Sequence, residues 1–179
     1  MRLPDVLSSA HFPSTELAAL RLAGELYAVG PAWVPVDLPE TDAARAASLA
    51  AVLDPRLIAD RRSAAWVLGG SDAAPSTPQT CVPVTARAAA RDPVLDVREV
   101  RLQDGDTRVL AGLRLTTALR TALDLLRGAG YDAATAAIVG RLLQRRDCPI
   151  AGLEALLGER RFAGHAARSR ARLCELSPR

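Results

Sequence analysis

The sequence contains no lysine: all 23 of its basic residues are arginines. That absence excludes a phosphate loop of the Gly-x-x-x-x-Gly-Lys type and any Schiff-base chemistry, since both need an ε-amine. Histidine is nearly as scarce. His11 and His165 stand alone, with no nucleophile or carboxylate at a motif spacing near either, so no catalytic residue is assigned and no enzyme is expected. Cys81, Cys148 and Cys174 lie far apart without a Cys-x-x-Cys pair, which argues against a disulfide framework or a zinc site and leaves them as small core residues. No metal and no cofactor is expected. Aromatic residues make up only 3% of the chain. No apolar run reaches the roughly 18 to 20 residues that a bilayer requires. The opening stretch, Met-Arg-Leu-Pro-Asp-Val-Leu-Ser-Ser-Ala, is interrupted by Pro4 and Asp5 before a secretory apolar region can form. The chain therefore reads as cytoplasmic, with no membrane partner.

What is present is an ordinary globular composition, 49% hydrophobic and 24% charged over 179 residues. Such a length holds one main core with a small module of about 40 residues beside it. The net charge of +3 hides an asymmetry. Residues 1–40 carry two arginines against five carboxylates, a balance of −3, whereas residues 140–179 carry nine arginines against four carboxylates, a balance of +5. Attraction to a polyanion would act on the C-terminal end.

Residues 3–9 have apolar spacing for a short helix, with Leu3, Val6 and Leu7 on one side. Ser14 is an N-cap for a second helix over Thr15 to Ala23, stopped by Gly24. Glu25 to Val29 and Trp33 to Val36 then read as strands around the Gly30-Pro31 turn. Thr41 or Asp42 caps a helix running to Leu53, the bridge out of the first module. "RRSAAWVLGG" is a buried helix; "CVPV", "LDVREVRL" and "TRVLAGLRLT" are strands, the last two joined as a hairpin at Asp104-Gly105. Thr116 or Thr117 caps "ALRTALDLLR", and Asp132 opens the next helix. "IAGLEALL" and "AGHAARSRARLCEL" complete a helical C-terminal part. The expected fold class is α+β: a degenerate winged helix over residues 1–40, then a mixed domain over 41–179 with a small β-sheet packed by C-terminal helices. Arg120 and Asp124 fall at an i,i+4 spacing, read as a surface ion pair of a few tenths of a kcal/mol. Asp104 and Asp106 flank a turn glycine, where aspartate is favoured for its local hydrogen bonds.

Four segments in this order resemble the actinobacterial branch of the AbiEi-type antitoxins of type IV toxin–antitoxin systems: Ser14 to Val36, Ser63 to Gly70, Gly112 to Arg127, and Gly164 to Pro178. Thr117-x-x-Arg120-Thr121-x-x-Asp124-Leu125 is the strongest single piece. The resemblance implies an N-terminal winged helix that binds the operon's own promoter and a C-terminal domain that counters a nucleotidyltransferase-type toxin. Longer members continue into an endonuclease-like domain beyond the Ser177-Pro178 segment, so no nuclease chemistry is expected of these residues.

The sequence departs from a DNA reader at the face that would meet DNA. If Leu17, Leu20 and Gly24 turn inward, the outward face of the second helix is Thr15, Ala18, Ala19 and Leu22, almost without the hydrogen-bonding and cationic side chains that read bases and grip phosphates. Two functions are therefore expected side by side. In the first, the chain is an antitoxin and transcriptional regulator that represses its own operon, with DNA contact by Thr15, Arg21, Arg161, Arg168 and Arg172, the last three on one helical stripe. In the second, it is a non-enzymatic protein-interaction module of winged-helix shape that no longer binds DNA and uses Ala18, Ala19, Leu22 and Trp33 as its surface. The partners are operator DNA, a cognate toxin, or a second copy in a homodimer.

Overall fold

The structure, a computed structural model, describes residues 4–85, 94–159, 162 and 165–176. Helix α1 (Ser14–Leu22) starts directly after Pro13, whose extended backbone takes the N-cap position; Ser14, expected as the cap, is the first helical residue. Gly24, at φ 77°, ends the helix and turns the chain into β1 (Leu26–Val29), which pairs antiparallel with β2 (Ala32–Pro35). The helix expected over residues 3–9 does not form in the described part of that segment. Instead Leu7 exchanges two backbone hydrogen bonds with Trp33, at 2.8 and 2.9 Å, and adds a rung beside β2. The cause is local: the Ser8 hydroxyl accepts from the Ala10 N–H at 3.3 Å, and the Ser8 N–H donates to His11 Nδ1 at 3.1 Å, so serine turns the chain where a helix would continue.

The hairpin has two covered sides. On one, Leu7, Leu17 and Leu26 are buried with Phe12, Leu20 and Trp33 partly covering them. On the other, Val29 and Val34 join the main core with Ala46 and Leu49 of α2 (Asp42–Ala50) and Trp66 of α3 (Arg61–Val67). Gly30 sits at φ 56°, and a Cβ there would lie 2.7 Å from Trp66 Cη2, so only glycine lets the hairpin turn rest on the indole. The Ser48 hydroxyl donates to the Val29 carbonyl from α2. The core thus runs unbroken across residue 40. Thr41 caps α2, accepting from the Ala44 N–H at 3.1 Å, and the helix stops at Ala50, short of the expected Leu53.

The chain is of the α+β class. Its main sheet holds β3 (Ile58–Ala59), β4 (Gln79–Pro83), β5 (Asp96–Val100), β6 (Thr107–Leu110) and β7 (Leu113–Thr116), in the order β5-β4-β3-β7-β6. The two-residue β3, too short to leave a periodic signal, holds the centre, antiparallel to β4 and parallel to β7. Residues 107–116, expected as one strand, break into β6 and β7 at Ala111-Gly112, where φ values of 45° and 81° make a tight hairpin turn. No hairpin forms at Asp104-Gly105. The strands β5 and β6 lie at opposite edges of the sheet, and the Asp106 carboxylate points inward, accepting from the Gln103 N–H at 2.9 Å and from Arg120 at 2.6 Å.

Thr117 caps α4 (Ala118–Arg127) and Asp132 caps α5 (Ala133–Leu143). With α6 (Ile150–Gly158) and α7 (Ala166–Leu176) they form the helical layer, in which α4 touches α3, α5, α6 and α7. The Arg120–Asp124 pair, expected at the surface, is buried: its side chains are 5% and 2% exposed, with Nε 3.0 Å from Oδ2. It belongs to an alternating chain of charges. Arg98 on β5 donates to Asp124 at 2.6 Å and also to Asp60, which is fully buried; Arg61 donates to Asp60 at 3.0 Å and to Asp96 at 2.7 Å. The series Asp96, Arg61, Asp60, Arg98, Asp124, Arg120, Asp106 ties α3, β5, α4 and the 104–106 turn together.

Removing the inner cation should therefore be costly. Arg120→Met strips the guanidinium from two buried carboxylates and is expected to lower unfolding free energy by about 3–5 kcal/mol in urea titration. Arg141→Ala removes only an exposed pair with Asp72 and should cost about 0–1 kcal/mol. Equal losses would show that the buried chain of charges is not a support.

Candidate functional site

Only a narrow stripe of α1 is used for packing. Leu17 is buried and Leu20 half-buried against the cluster on one side of the hairpin. Helical spacing sends Thr15, Ala18, Ala19 and Leu22 the other way, and all four are exposed, Leu22 at 87%. Glu16 and Glu25 flank this ridge, both exposed, and their carboxylates have no ion-pair partner among the described residues. Arg21 is exposed but leans toward the packed side, its guanidinium 5.5 Å from the centroid of the half-buried Trp33 ring. Tyr27 is tied into the fold, its hydroxyl donating to the Leu38 carbonyl at 2.9 Å. The structure therefore brings Thr15, Ala18, Ala19 and Leu22 onto one face, with Arg21 and Trp33 at its border.

The C-terminal arginines do not act as one stripe. Arg168 is exposed. Arg172 is half-buried: its Nη1 donates to the Leu126 and Gly128 carbonyls at 2.5 and 3.0 Å, and its guanidinium lies 4.3 Å from the Tyr131 ring centroid. This correction has a plain cause, since the orphan carbonyls at the end of α4 need donors and Arg172 supplies them. It is a tie between α7 and α4. Arg161 lies outside the described residues. Arg170, which was not singled out from the sequence, is exposed and donates to the Leu157 carbonyl at 3.2 Å. Between Arg168 and Arg170, the outer ridge of α7 is formed by Ala167, Ala171 and Cys174, all exposed. Cys174 is thus no core residue. Cys81 and Cys148 are buried, and burial pushes both thiols up to about 12.

The densest group of titratable side chains among the described residues is the chain of charges, buried at its centre. Burial holds the Asp60 carboxyl above the usual carboxylate range despite Arg98 and Arg61 beside it. Yet Asp60 is fully buried, and each of its oxygens accepts an arginine N–H, so no substrate atom can reach it. Among the described residues, no group of three His, Cys, Asp or Glu side chains could hold a metal ion, and no helix is long and apolar enough to cross a membrane. The Thr117-x-x-Arg120-Thr121-x-x-Asp124 pattern resolves into structural duties: Thr117 caps, Arg120 and Asp124 pair, and the Thr121 and Thr116 hydroxyls bond at 2.7 Å. Its tight spacing of cap, cation and carboxylate on one helix was the signal; nothing in it marked the pair as buried.

No protein-family model and no curated protein matches this sequence. Among solved structures, the RV2827C protein of Mycobacterium tuberculosis aligns over 98% of this chain and 78% of its own, with a TM-score of 0.46 and 18% identity.

Two measurements check the surfaces described above. Leu17→Ala should cost about 2–5 kcal/mol and loosen α1, whereas Leu22→Ala, on the exposed face, should stay within about 0.5 kcal/mol of the parent. In a thiol-reagent assay on the folded protein at mildly alkaline pH, Cys174 should react promptly, while Cys81 and Cys148 should react only after unfolding.

Proposed function

We propose that the chain is a non-enzymatic regulator of the antitoxin type, which represses its own operon and counteracts a nucleotidyltransferase-type toxin from the cytoplasm. The observation that supports it is the arrangement of α1: a helix standing on a β-hairpin, packed through Leu17 and Leu20, with its other face turned to solvent. That is the disposition of a recognition helix with its wing. Operator contact would fall to Thr15 and Arg21 at α1 and to Arg168 on α7, with Arg161 as a further candidate cation.

A specific observation favours a second reading, in which this face captures a protein. Leu22 is 87% exposed and the flanking carboxylates of Glu16 and Glu25 repel phosphates, so the chemistry of the ridge suits an apolar contact better than a duplex. Ala18, Ala19 and Leu22 would form its centre and Trp33 its edge.

A gel shift with the DNA upstream of the gene separates the two. The regulator reading expects binding at low salt that weakens steeply as salt rises, with Arg168→Glu lowering affinity and flattening the salt slope. The second reading expects no shift at any salt, and loss of toxin capture on replacing Ala19 and Leu22 by arginine while the thermal midpoint is unchanged. Operator binding that survives Arg21→Glu and Arg168→Glu together would remove these arginines from the DNA contact.

A further inference from the structure

The buried carboxylate of Asp124 keeps one oxygen in reserve. Its side chain is 2% exposed, and both arginines that hold it use the same atom: Arg98 Nη2 and Arg120 Nε donate to Oδ2 at 2.6 and 3.0 Å. Oδ1 accepts no hydrogen bond from a described residue. It is not sealed in the interior either, but opens to a cavity of about 250 Å³ that Asp124 lines together with Arg61, Arg62 and Thr135. The nitrogens of Arg61 are taken up by Asp60, Asp96 and the Thr80 carbonyl. Arg62 is different: its Nη2 donates to the Thr135 hydroxyl at 2.9 Å and lies 3.5 Å from Asp132 Oδ1, while Nε and Nη1 have no partner among the described residues. Arg62 and Asp132 are both partly exposed and set a cation beside an anion at the mouth. The cavity thus has an acceptor at its floor and a pair of opposite charges at its entrance.

We infer that this cavity binds a free α-amino acid with a neutral amide side chain, its α-carboxylate on Arg62, its α-ammonium facing Asp132 and its side-chain NH2 donating to Asp124 Oδ1. Each end selects its group by charge. A carboxylate that already bears two guanidinium groups repels a third cation, yet its open lone pairs still accept a neutral N–H. An arginine with two free donors is suited to a carboxylate, and the neighbouring Asp132 offsets the charge of an ammonium. The volume suits a molecule of amino-acid size, since it falls below the range of cavities that hold larger ligands. The floor is also preorganised: Arg98 and Arg120 fix the carboxylate from behind, so little order is lost when a ligand arrives. The site involves no residue of α1, and it goes beyond the regulator reading by giving the α+β part of the chain a small-molecule ligand of its own.

The test is isothermal titration calorimetry of the full chain alone, without DNA or toxin, so that its failure leaves the regulator reading untouched. The probes are glutamine, asparagine and glutamate. Glutamine or asparagine should bind, and glutamate should bind at least about tenfold more weakly, because its side-chain carboxylate would face Asp124 Oδ1. Arg62→Ala, at a partly exposed position, should keep the circular dichroism of the parent and lose at least about tenfold in affinity for the amide. In Asp124→Asn, Arg98 and Arg120 can be met only by the amide oxygen, which turns the new NH2 into the cavity; the preference should then invert toward glutamate. Should Asp124→Asn fail to fold, Arg62→Ala and the comparison of glutamine with glutamate decide the matter. No heat from either amide at millimolar concentration, equal binding of glutamate by the parent, or amide binding unchanged in Arg62→Ala would overturn the inference.

Discussion

Arg98 stands between two buried carboxylates, and the union of sheet and helices depends on it. Asp60, at the end of β3, and Asp124, in the middle of α4, would each be a severe desolvation cost alone. The planar guanidinium reaches both at once, which the single ammonium of a lysine does less well, and the fork pattern repeats at Arg61 and Arg120. The same contacts hold β5, a partly exposed edge strand, against the helical layer. They also explain how Arg61 keeps a left-handed backbone at φ 44°: its side chain is bonded to Asp60 and Asp96, which offsets the strain.

The hairpin of β1 and β2 plays the corresponding part at the other end of the molecule. With Val29 and Val34 in the main core and Trp33 and Leu26 in a separate small cluster, it is a shared wall between two packings of very different size. The larger one is anchored through Gly30 on Trp66 and through Ser48. The smaller one rests on a handful of residues, so α1 belongs to the low-stability end of the structure, where recognition elements are commonly found. The helix α1 has little packing to lose and a face to give.

Sequence patterns were legible wherever the deciding contacts lie within a few residues. Gly24 and the Gly30-Pro31 step marked the helix end and the hairpin, Thr117 and Asp132 marked the starts of α4 and α5, and the outward set Thr15, Ala18, Ala19 and Leu22 followed from helical spacing. Where the contact is distant, local pattern misled. The Asp104-Gly105 pair has the chemistry of a hairpin turn, yet Arg120, fourteen residues on, draws Asp106 inward and the hairpin forms at Ala111-Gly112. Arg172 was read as a surface cation, but the carbonyls that claim it belong to residues 126 and 128.

By itself the sequence determined the helix, hairpin and helix that follow Pro13, the starts of α4 and α5, the absence of lysine-dependent chemistry, and the split between an acidic first module and a basic last one, because each is a matter of composition or of neighbours along the chain. Only the tertiary structure decided which charges are buried, which strand lies beside which, that Leu7 pairs with Trp33, and that Cys174 faces solvent. Those outcomes rest on the low dielectric of a shared interior and on partners brought together from distant segments, neither of which leaves a mark on local spacing.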